Sequence, residues 1–290
     1  MKLLVFGLGY SASHFVAEYG RDYTAIRATT RDGTPTMAGV QALGFDGTGA
    51  PAAIAAALAE TTHLLISIPP VGLQDVVLQQ FAPLIAQAPH LRAIVYLSTI
   101  GVYGDTGGEW VDEGTRVNPG SERTRARVAA EQGWLALAQP DRRVHILRLG
   151  GIYGPGQNAA ENVKAGTARA IVKPGQVFNR IHVRDIAQTI ARALGHRDAQ
   201  GERRHIWNVT DNEPAPPQDV IAFAAKVMDF PAPPEIAFAQ AQMTPMARSF
   251  YGENRRVSNK AMIEKLHVSL AYPTYREGIS ALAAQIMQAK

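Results

Sequence analysis

Cysteine is absent from the 290-residue sequence, which excludes disulfides, thiolate metal sites and cysteine nucleophiles. Long apolar runs are also missing. The sequence starts MKLLVFGLGYSASHF, where glycines interrupt the apolar run, so the run is far shorter than the roughly 20 residues that a membrane span needs. No grouping of His, Asp and Glu has metal-ligand spacing, and no G-x-S-x-G elbow for hydrolase chemistry is present. We therefore expect a cytoplasmic globular protein with no metal site and no membrane contact.

Charge of one sign does not dominate either, with 29 Lys plus Arg against 25 Asp plus Glu. The arginines occur as scattered doublets without interleaved aromatic residues, which argues against a nucleic-acid surface. We expect no nucleic-acid partner, and we interpret the doublets as solvated surface or as local phosphate contacts.

The first half of the chain alternates short apolar runs with alanine-rich helical stretches. Fully apolar strands between helices are typical of a parallel sheet that is covered on both faces, so we predict a Rossmann-type, doubly wound α/β fold. Strands are expected at residues 2–6, 23–28, 40–45, 63–68, 92–99 and 144–150, with helices at 51–60, 73–87 and 121–139.

After Gly150 this alternation weakens, and prolines become frequent from residue 214 onward. Residues 1–160 are expected to form the main domain, to which residues 183–212 return as a helix and a strand. Residues 161–182 and 213–290 are expected to form a smaller, partly interleaved lobe, with two closing helices at 258–266 and 274–288.

Gly7, Gly9 and Ala12 have the G-x-G-x-x-G/A spacing, directly after the first strand and at the start of a helix. The first glycine permits the tight turn, the second lets a pyrophosphate approach the backbone, and the alanine lets helix and strand pack closely. In this context the pattern predicts a dinucleotide-binding turn. The expected contacts come from Gly7, Leu8, Gly9, Tyr10, Ser11 and Ala12.

The end of the second strand decides which dinucleotide is expected. An acidic residue there would bind the ribose 2′-hydroxyl of NAD, but the sequence has Thr29, Thr30 and Arg31. Hydroxyls and a guanidinium suit a 2′-phosphate, which favours NADP over NAD. Two alternatives stay open: Asp32 would reach the ribose after a shift of one residue, or Arg31 is a solvated turn residue.

Further cofactor contacts are expected where other strands end. The segment SIPP ends the fourth strand, and an aspartate follows the third strand, where it either faces the adenine or belongs to a simple turn. These contacts are assigned to Asp46, Ser67, Ile68 and Pro69.

Three longer motifs accompany the glycine turn: YLSTIGVYGDTGGEWVDE at 96–113, LRLGGIYGPG at 147–156 and NRIHVRDIA at 179–187. Together they resemble the short-chain dehydrogenase/reductase superfamily, in its extended branch of nucleotide-sugar epimerases and dehydratases. The resemblance implies an NAD(P)-dependent oxidoreductase or epimerase/dehydratase that acts on a hydroxyl- or keto-bearing substrate, such as an anionic sugar nucleotide. It also suggests a homodimer through the helices at 73–87 and 121–139.

The resemblance implies a catalytic Ser or Thr, a Tyr, and a Lys four residues after the Tyr. The hydroxyl position is Thr99, but Arg123 stands at the tyrosine position and Arg127 at the lysine position. Arg127 keeps the charge that would hold the cofactor ribose. Arg123 is suited to binding an anion but not to passing protons, because a guanidinium stays charged in proteins. A plain surface role for both arginines is the alternative.

The proton donor is therefore unassigned by the resemblance. Tyr103, which follows the hydroxyl pair Ser98 and Thr99, is one candidate for the reaction, with packing of its loop as the alternative. Ser98 itself is expected beside the cofactor. A second hypothesis for the whole protein is a catalytically silent NADP(H) sensor or scaffold that kept the fold and lost the chemistry.

Overall fold

The computed structural model describes residues 1–196 and 201–288. Its strands are β1 (Lys2–Phe6), β2 (Ala25–Thr30), β3 (Gln41–Gly44), β4 (His63–Ile66), β5 (Ala93–Thr99), β6 (Trp110–Val111), β7 (Arg143–Leu149), β8 (Gly151–Tyr153), β9 (Ala170–Val172), β10 (Arg180–His182), β11 (Arg204–Val209), β12 (Glu235–Ala237) and β13 (Arg256–Val257). Its α-helices are α1 (Tyr10–Tyr19), α2 (Ala52–Glu60), α3 (Val76–Gln87), α4 (Glu122–Leu135), α5 (Ala159–Lys164), α6 (Val183–Gly195), α7 (Pro217–Val227), α8 (Pro245–Phe250), α9 (Lys260–Glu264) and α10 (Tyr275–Gln288). Short 3₁₀ helices cover Gly20–Asp22 and Ile100–Tyr103.

Seven strands form one parallel sheet in the order β11-β7-β5-β4-β1-β2-β3. The chain runs outward from β1 to β3 on one side and then returns to build the other side from β4. The direction of winding therefore reverses between β1 and β4, and ligands of such sheets bind outside the carboxyl ends of these strands. The predicted doubly wound α/β fold is confirmed.

Apolar side chains cover both faces of this sheet. On one face α1 and α6 pack against it through Phe15, Ile186 and Ile190. On the other face Phe81 of α3 and Trp134 of α4 are fully buried over the strands. Because the sheet is covered twice, its central strands read as continuous apolar runs, which made them easy to predict.

Several predicted boundaries were wrong by a few residues. The second strand begins at Ala25 rather than at residue 23, since its register pairs Lys2 with Ala25. The third helix begins at Val76 rather than at 73, because the Asp75 carboxylate accepts hydrogen bonds from the amides of Val77 and Leu78. The helix predicted at 121–139 ends at Leu135, ahead of a tight turn that contains Pro140.

The second half contains more regular structure than the sequence indicated. Helix α7 was not predicted, although its Pro217 lies in the first turn, where no amide donor is needed. Helices α5, α7 and α10 share an apolar core that includes Ala224 and Ile279. β11 pairs with β7 at the edge of the main sheet. Among the described residues, none of the helices is both long and apolar enough to cross a membrane.

A buried polar cluster lies where β11 ends and the smaller core begins. Asp211 is only 2% exposed, and one of its carboxylate oxygens accepts a hydrogen bond from the amide of Glu213 at 3.1 Å. Burial raises the pKa of Asp211 to about 7, although nearby Arg180 opposes the shift. The folded protein therefore holds a proton on Asp211 over a pH range in which the unfolded chain has lost it.

We expect the stability to fall between about pH 4 and pH 7, because the unfolded state binds fewer protons there. Asp211→Asn carries no such penalty, so the variant should become more stable than the wild type above pH 7, by up to about 4 kcal/mol. Urea unfolding at pH 4 and pH 8 checks this, with exposed Asp219→Asn as the matched control. Equal pH dependence in the wild type and Asp211→Asn would contradict the assignment.

Candidate functional site

The predicted glycine turn links β1 to α1 in a shape that only glycine tolerates at its first position. Gly7 has φ +88°, and a Cβ built on it would lie 2.7 Å from the Ile68 side chain. Its amide donates a hydrogen bond to the Thr29 hydroxyl at 2.9 Å, and the amide of Leu8 donates to the Thr29 carbonyl at 3.2 Å. Thr29, on β2, therefore fixes the turn, a role that the sequence did not reveal.

The second glycine differs from the first. Gly9 has an ordinary φ of −84°, and a Cβ built on it would meet no described atom within 4 Å. It caps α1 without any side-chain hydrogen bond, so the first amides of the helix are left for another partner. Ser11 and Ala12 behind them are buried. This open approach to a helix N-terminus is the arrangement that accepts a pyrophosphate.

The tip of β2 presents one side chain that is open to a ligand. Thr30 donates its hydroxyl to the Thr34 carbonyl, and Asp32 accepts from the Thr34 amide at 3.0 Å, which lowers the pKa of Asp32. Asp46 is held in the same way by the amide and hydroxyl of Thr48, which lowers its pKa. Arg31 is exposed, and no described residue pairs with it. It is thus the charged group most available to a cofactor phosphate.

The segment after β4 is bound to the end of β1. The amides of Ser67 and Ile68 both donate to the Phe6 carbonyl, at 2.9 and 3.2 Å. Ile68 is thereby brought under Gly7, and Ser67, Ile68 and Pro69 all lie beside the turn with part of their surface accessible. Tyr10 closes the other side of the turn, because its hydroxyl donates to the Pro155 carbonyl at 2.9 Å.

Thr99 ends β5 and starts the 3₁₀ helix Ile100–Tyr103. Its hydroxyl oxygen accepts a hydrogen bond from the Gly101 amide at 3.1 Å, while its own proton has no described acceptor. The first turn of α4 packs on this loop, since a Cβ on Gly101 would lie 3.2 Å from the Thr124 methyl. Thr99 is half-buried, and its role toward a substrate stays a prediction.

Arg127 and Arg123 project from α4 into different surroundings. Half-buried Arg127 donates one guanidinium nitrogen to the Leu97 carbonyl at 2.7 Å and to the Tyr96 hydroxyl at 3.0 Å. The guanidinium is therefore fixed near the end of β5. Arg123 is exposed, and its guanidinium lies 4.9 Å from the centre of the Phe250 ring. Nothing in the sequence singled out Phe250.

Ser98 and Tyr103 belong to a buried network on the same sheet edge. Ser98 donates to the Glu131 carboxylate at 2.5 Å, and Arg148 forms an ion pair with Glu131 at 2.7 Å. Arg148 also donates to the Tyr103 hydroxyl, which itself donates to the Asn208 side chain at 2.8 Å. Burial raises the pKa of Tyr103. The site roles of Ser98 and Tyr103 stay predictions, and these contacts favour a structural role for both.

His182 and Tyr153 are paired at the ends of β10 and β8, and the centres of their rings lie 5.1 Å apart. His182 caps α6 by accepting from the Arg184 amide at 3.1 Å, and burial lowers its pKa to about 4. The Tyr153 hydroxyl points at Gly278 of α10, where a Cβ would lie only 2.1 Å away. Both side chains therefore serve the packing of the two halves.

The sequence and fold of this chain are similar to those of known proteins. The model of the NAD-dependent epimerase/dehydratase family matches residues 77–210, which include Thr99, Arg123 and Arg127. A candidate NAD-dependent epimerase/dehydratase from Methylobacillus flagellatus is 26% identical, with a TM-score of 0.74 over 99% of this chain and 98% of that one. The family match covers a little under half of the chain, and together the two findings make the chain similar to the NAD-dependent epimerase/dehydratase family.

Two further solved structures share the fold over nearly the whole chain. A conserved protein of unknown function from Silicibacter pomeroyi DSS is 43% identical, with a TM-score of 0.84 over 98% of this chain and 99% of that one. The structure of MoeE5 with UDP-glucuronic acid and NAD is 18% identical, with a TM-score of 0.77 over all of both chains, and shows the shared fold. A search of curated proteins found no match.

The family that matches is NAD-dependent, and similar solved structures contain NAD or NADPH. The glycine turn with its open approach at Gly9 fits such a dinucleotide. The correspondence of Arg123 and Arg127 with the family's tyrosine and lysine rests on their spacing to Pro119 and Glu131, and it stays a prediction.

Proposed function

We propose that this protein binds NADP and acts as an oxidoreductase or epimerase on an anionic hydroxyl or keto substrate, such as a sugar nucleotide. The observation that carries the proposal is the convergence of three features at one edge of the sheet. These are the open turn at Gly9, the free hydroxyl proton of Thr99 and the anchored charge of Arg127. The bound sugar nucleotide of MoeE5 supports the substrate class by analogy of fold.

In this proposal each side chain of the site has a separate role. When bound, the nicotinamide cofactor would supply hydride chemistry. Thr99 donates its hydroxyl proton to the substrate oxygen, and Arg127 offers its remaining N–H groups to the cofactor ribose while Leu97 holds it in place. Arg123 binds the substrate's negative group. The glycine turn, Ser67, Ile68 and Pro69 orient the dinucleotide.

None of the residues just assigned a role transfers the proton that the reaction requires. An arginine at the tyrosine position would need roughly 7 kcal/mol to give up its proton near neutrality. We therefore propose that the proton comes from solvent or from the substrate, with Arg123 stabilising the negative charge that develops.

Thr99→Val should reduce turnover and leave NADPH affinity within about twofold, since Thr99 contacts the substrate and not the dinucleotide in this proposal.

The choice of NADP rests on Arg31, the open cation at the tip of β2. We expect Arg31→Ala to weaken NADPH binding by about tenfold or more, because a charge-assisted pair with the 2′-phosphate is lost, and to leave NADH binding unchanged. Nicotinamide fluorescence titrations measure both. Exposed Arg21→Ala is the matched control, and an Arg31→Ala protein that keeps its NADPH affinity would remove the basis for NADP.

The second candidate is a catalytically silent NADP(H) sensor or scaffold. It is favoured by the burial of Tyr103, whose hydroxyl is already bonded to Arg148 and Asn208. A panel of keto compounds and sugar nucleotides separates the two candidates: NADPH-linked turnover supports the enzyme, whereas NADP-dependent association with a protein partner without turnover supports the sensor. A cytoplasmic location and a homodimer through α3 and α4 complete the proposal, and sedimentation velocity tests the dimer.

A further inference from the structure

Helix α8 is unusual because none of its six residues is buried. Met246 is 64% exposed and Phe250 49% exposed, although both side chains are large and apolar. So short a helix is not stable by itself, and its attachment comes from Arg248, which donates to the Ala241 carbonyl at 2.6 Å and lies over the Phe238 ring. The apolar side chains of α8 are thus held in place without being covered.

The chain that follows α8 is fastened to the loop that carries Thr99. Arg255 is buried and donates to the Gly104 carbonyl at 2.7 Å and to the Ile100 carbonyl at 3.3 Å. Glu253 pairs with Arg255 and lies against Gly120, just before α4. These contacts place α8 at the rim of the site formed by Thr99 and the first turn of α4.

Phe250 meets Arg123 across this rim. The guanidinium lies 4.9 Å from the ring centre, and no described carboxylate pairs with Arg123. A cation–π contact at an exposed site contributes only about 0.5–1 kcal/mol, so an incoming anion can take the guanidinium while the ring stays beside it. A planar guanidinium offers two parallel N–H donors to the two oxygens of such an anion.

We propose that Arg123 and Phe250 form a substrate subsite for an oxyanion, a carboxylate or a phosphate, at the rim of the site that contains Thr99. Arg123 binds the oxyanion, and the Phe250 ring lies against the guanidinium and shields one side of the ion pair. The subsite rests on the proposed function, because Arg123 lies on the first turn of α4, which packs on the loop that carries Thr99. It narrows the substrate class to compounds with a carboxylate or a phosphate that reaches the first turn of α4.

The probes are oxamate, as a carboxylate, and inorganic phosphate, each titrated into the full chain with NADPH bound and followed by calorimetry. We expect one of them to bind, and we expect Arg123→Gln and Phe250→Ala each to weaken that probe at least tenfold. Phe250→Tyr keeps an aromatic ring and should bind that probe as tightly as the wild type does. Arg125→Gln on the same helix and Phe230→Ala, also exposed, are the matched controls. Which probe responds identifies the oxyanion.

Several results would overturn the subsite. These are an absence of binding by both probes, a loss in Arg125→Gln as large as in Arg123→Gln, or unchanged binding in Phe250→Ala. NADPH affinity is measured in each variant and is expected to stay within about twofold, since neither side chain touches the glycine turn. If the wild type fails to bind NADPH, the proposed function falls, and probe binding without cofactor then tests the subsite by itself.

Discussion

Glu131→Gln is expected to destabilise the protein by about 3–5 kcal/mol, because it leaves the guanidinium of Arg148 buried without a counter-charge. Both side chains are about 5% exposed or less, and their ion pair is 2.7 Å long. The same carboxylate accepts a hydrogen bond from the Ser98 hydroxyl at 2.5 Å. One substitution therefore disturbs β5, β7 and α4 together, at the edge of the sheet where the site lies.

Urea unfolding with a fixed transition slope measures this loss. Glu122→Gln is the control, because Glu122 lies exposed on the same helix and should change stability by less than about 0.5 kcal/mol. The double variant Glu131→Leu/Arg148→Met removes both charges, and it should recover much of the lost stability. A Glu131→Gln protein as stable as the Glu122→Gln control would show that the buried pair contributes nothing.

Gly9→Val is expected to abolish measurable dinucleotide binding, with a loss of at least about 100-fold in affinity, or about 2.7 kcal/mol. A Cβ built on Gly9 meets no described atom within 4 Å, and the φ of −84° suits any residue. The fold should therefore tolerate it, with stability changed by less than about 1 kcal/mol. We therefore expect the added methyl groups to obstruct a ligand that approaches the backbone rather than any of the described residues.

Gly7→Ala provides the contrast. A side chain there would meet Ile68 at 2.7 Å and would sit at φ +88°, so this variant should lose stability as well as affinity. Parallel urea unfolding and NADPH titrations distinguish the two substitutions. If Gly9→Val bound NADPH like the wild type, the pyrophosphate would not pass over Gly9, and the site would lie elsewhere.

The main sheet was predictable because its signals are local. Apolar runs such as LLVF in β1 and AIVYL in β5 are buried on both faces, so burial and composition coincide within a few residues. The two-residue strands β6 and β13 carry no such signal. Arg256 and Val257 pair with Trp110 and Val111, which are distant in the sequence, so only the folded chain defines these strands.

In the candidate site, too, the local pattern was predictable and the distant partners were not. The glycine turn is a local pattern, and its position after β1 was correct. The partners of Gly7, Glu131 and Arg123 were missed, since Thr29, Arg148 and Phe250 are brought to them by the topology of the sheet and by the smaller core. Buried charges such as Arg148 also look like surface residues in a sequence, because their partners cannot be read from spacing.

The measurement that tests the central claim most directly is a titration of the purified protein with NADPH and NADH, followed by nicotinamide fluorescence. The proposed function predicts saturable binding of both, with NADPH preferred through Arg31 and with affinity lost in Gly9→Val. Binding that prefers NADH would overturn the role of Arg31 but keep the dinucleotide site. No binding of either would contradict the account, because the glycine turn would then be a structural feature alone.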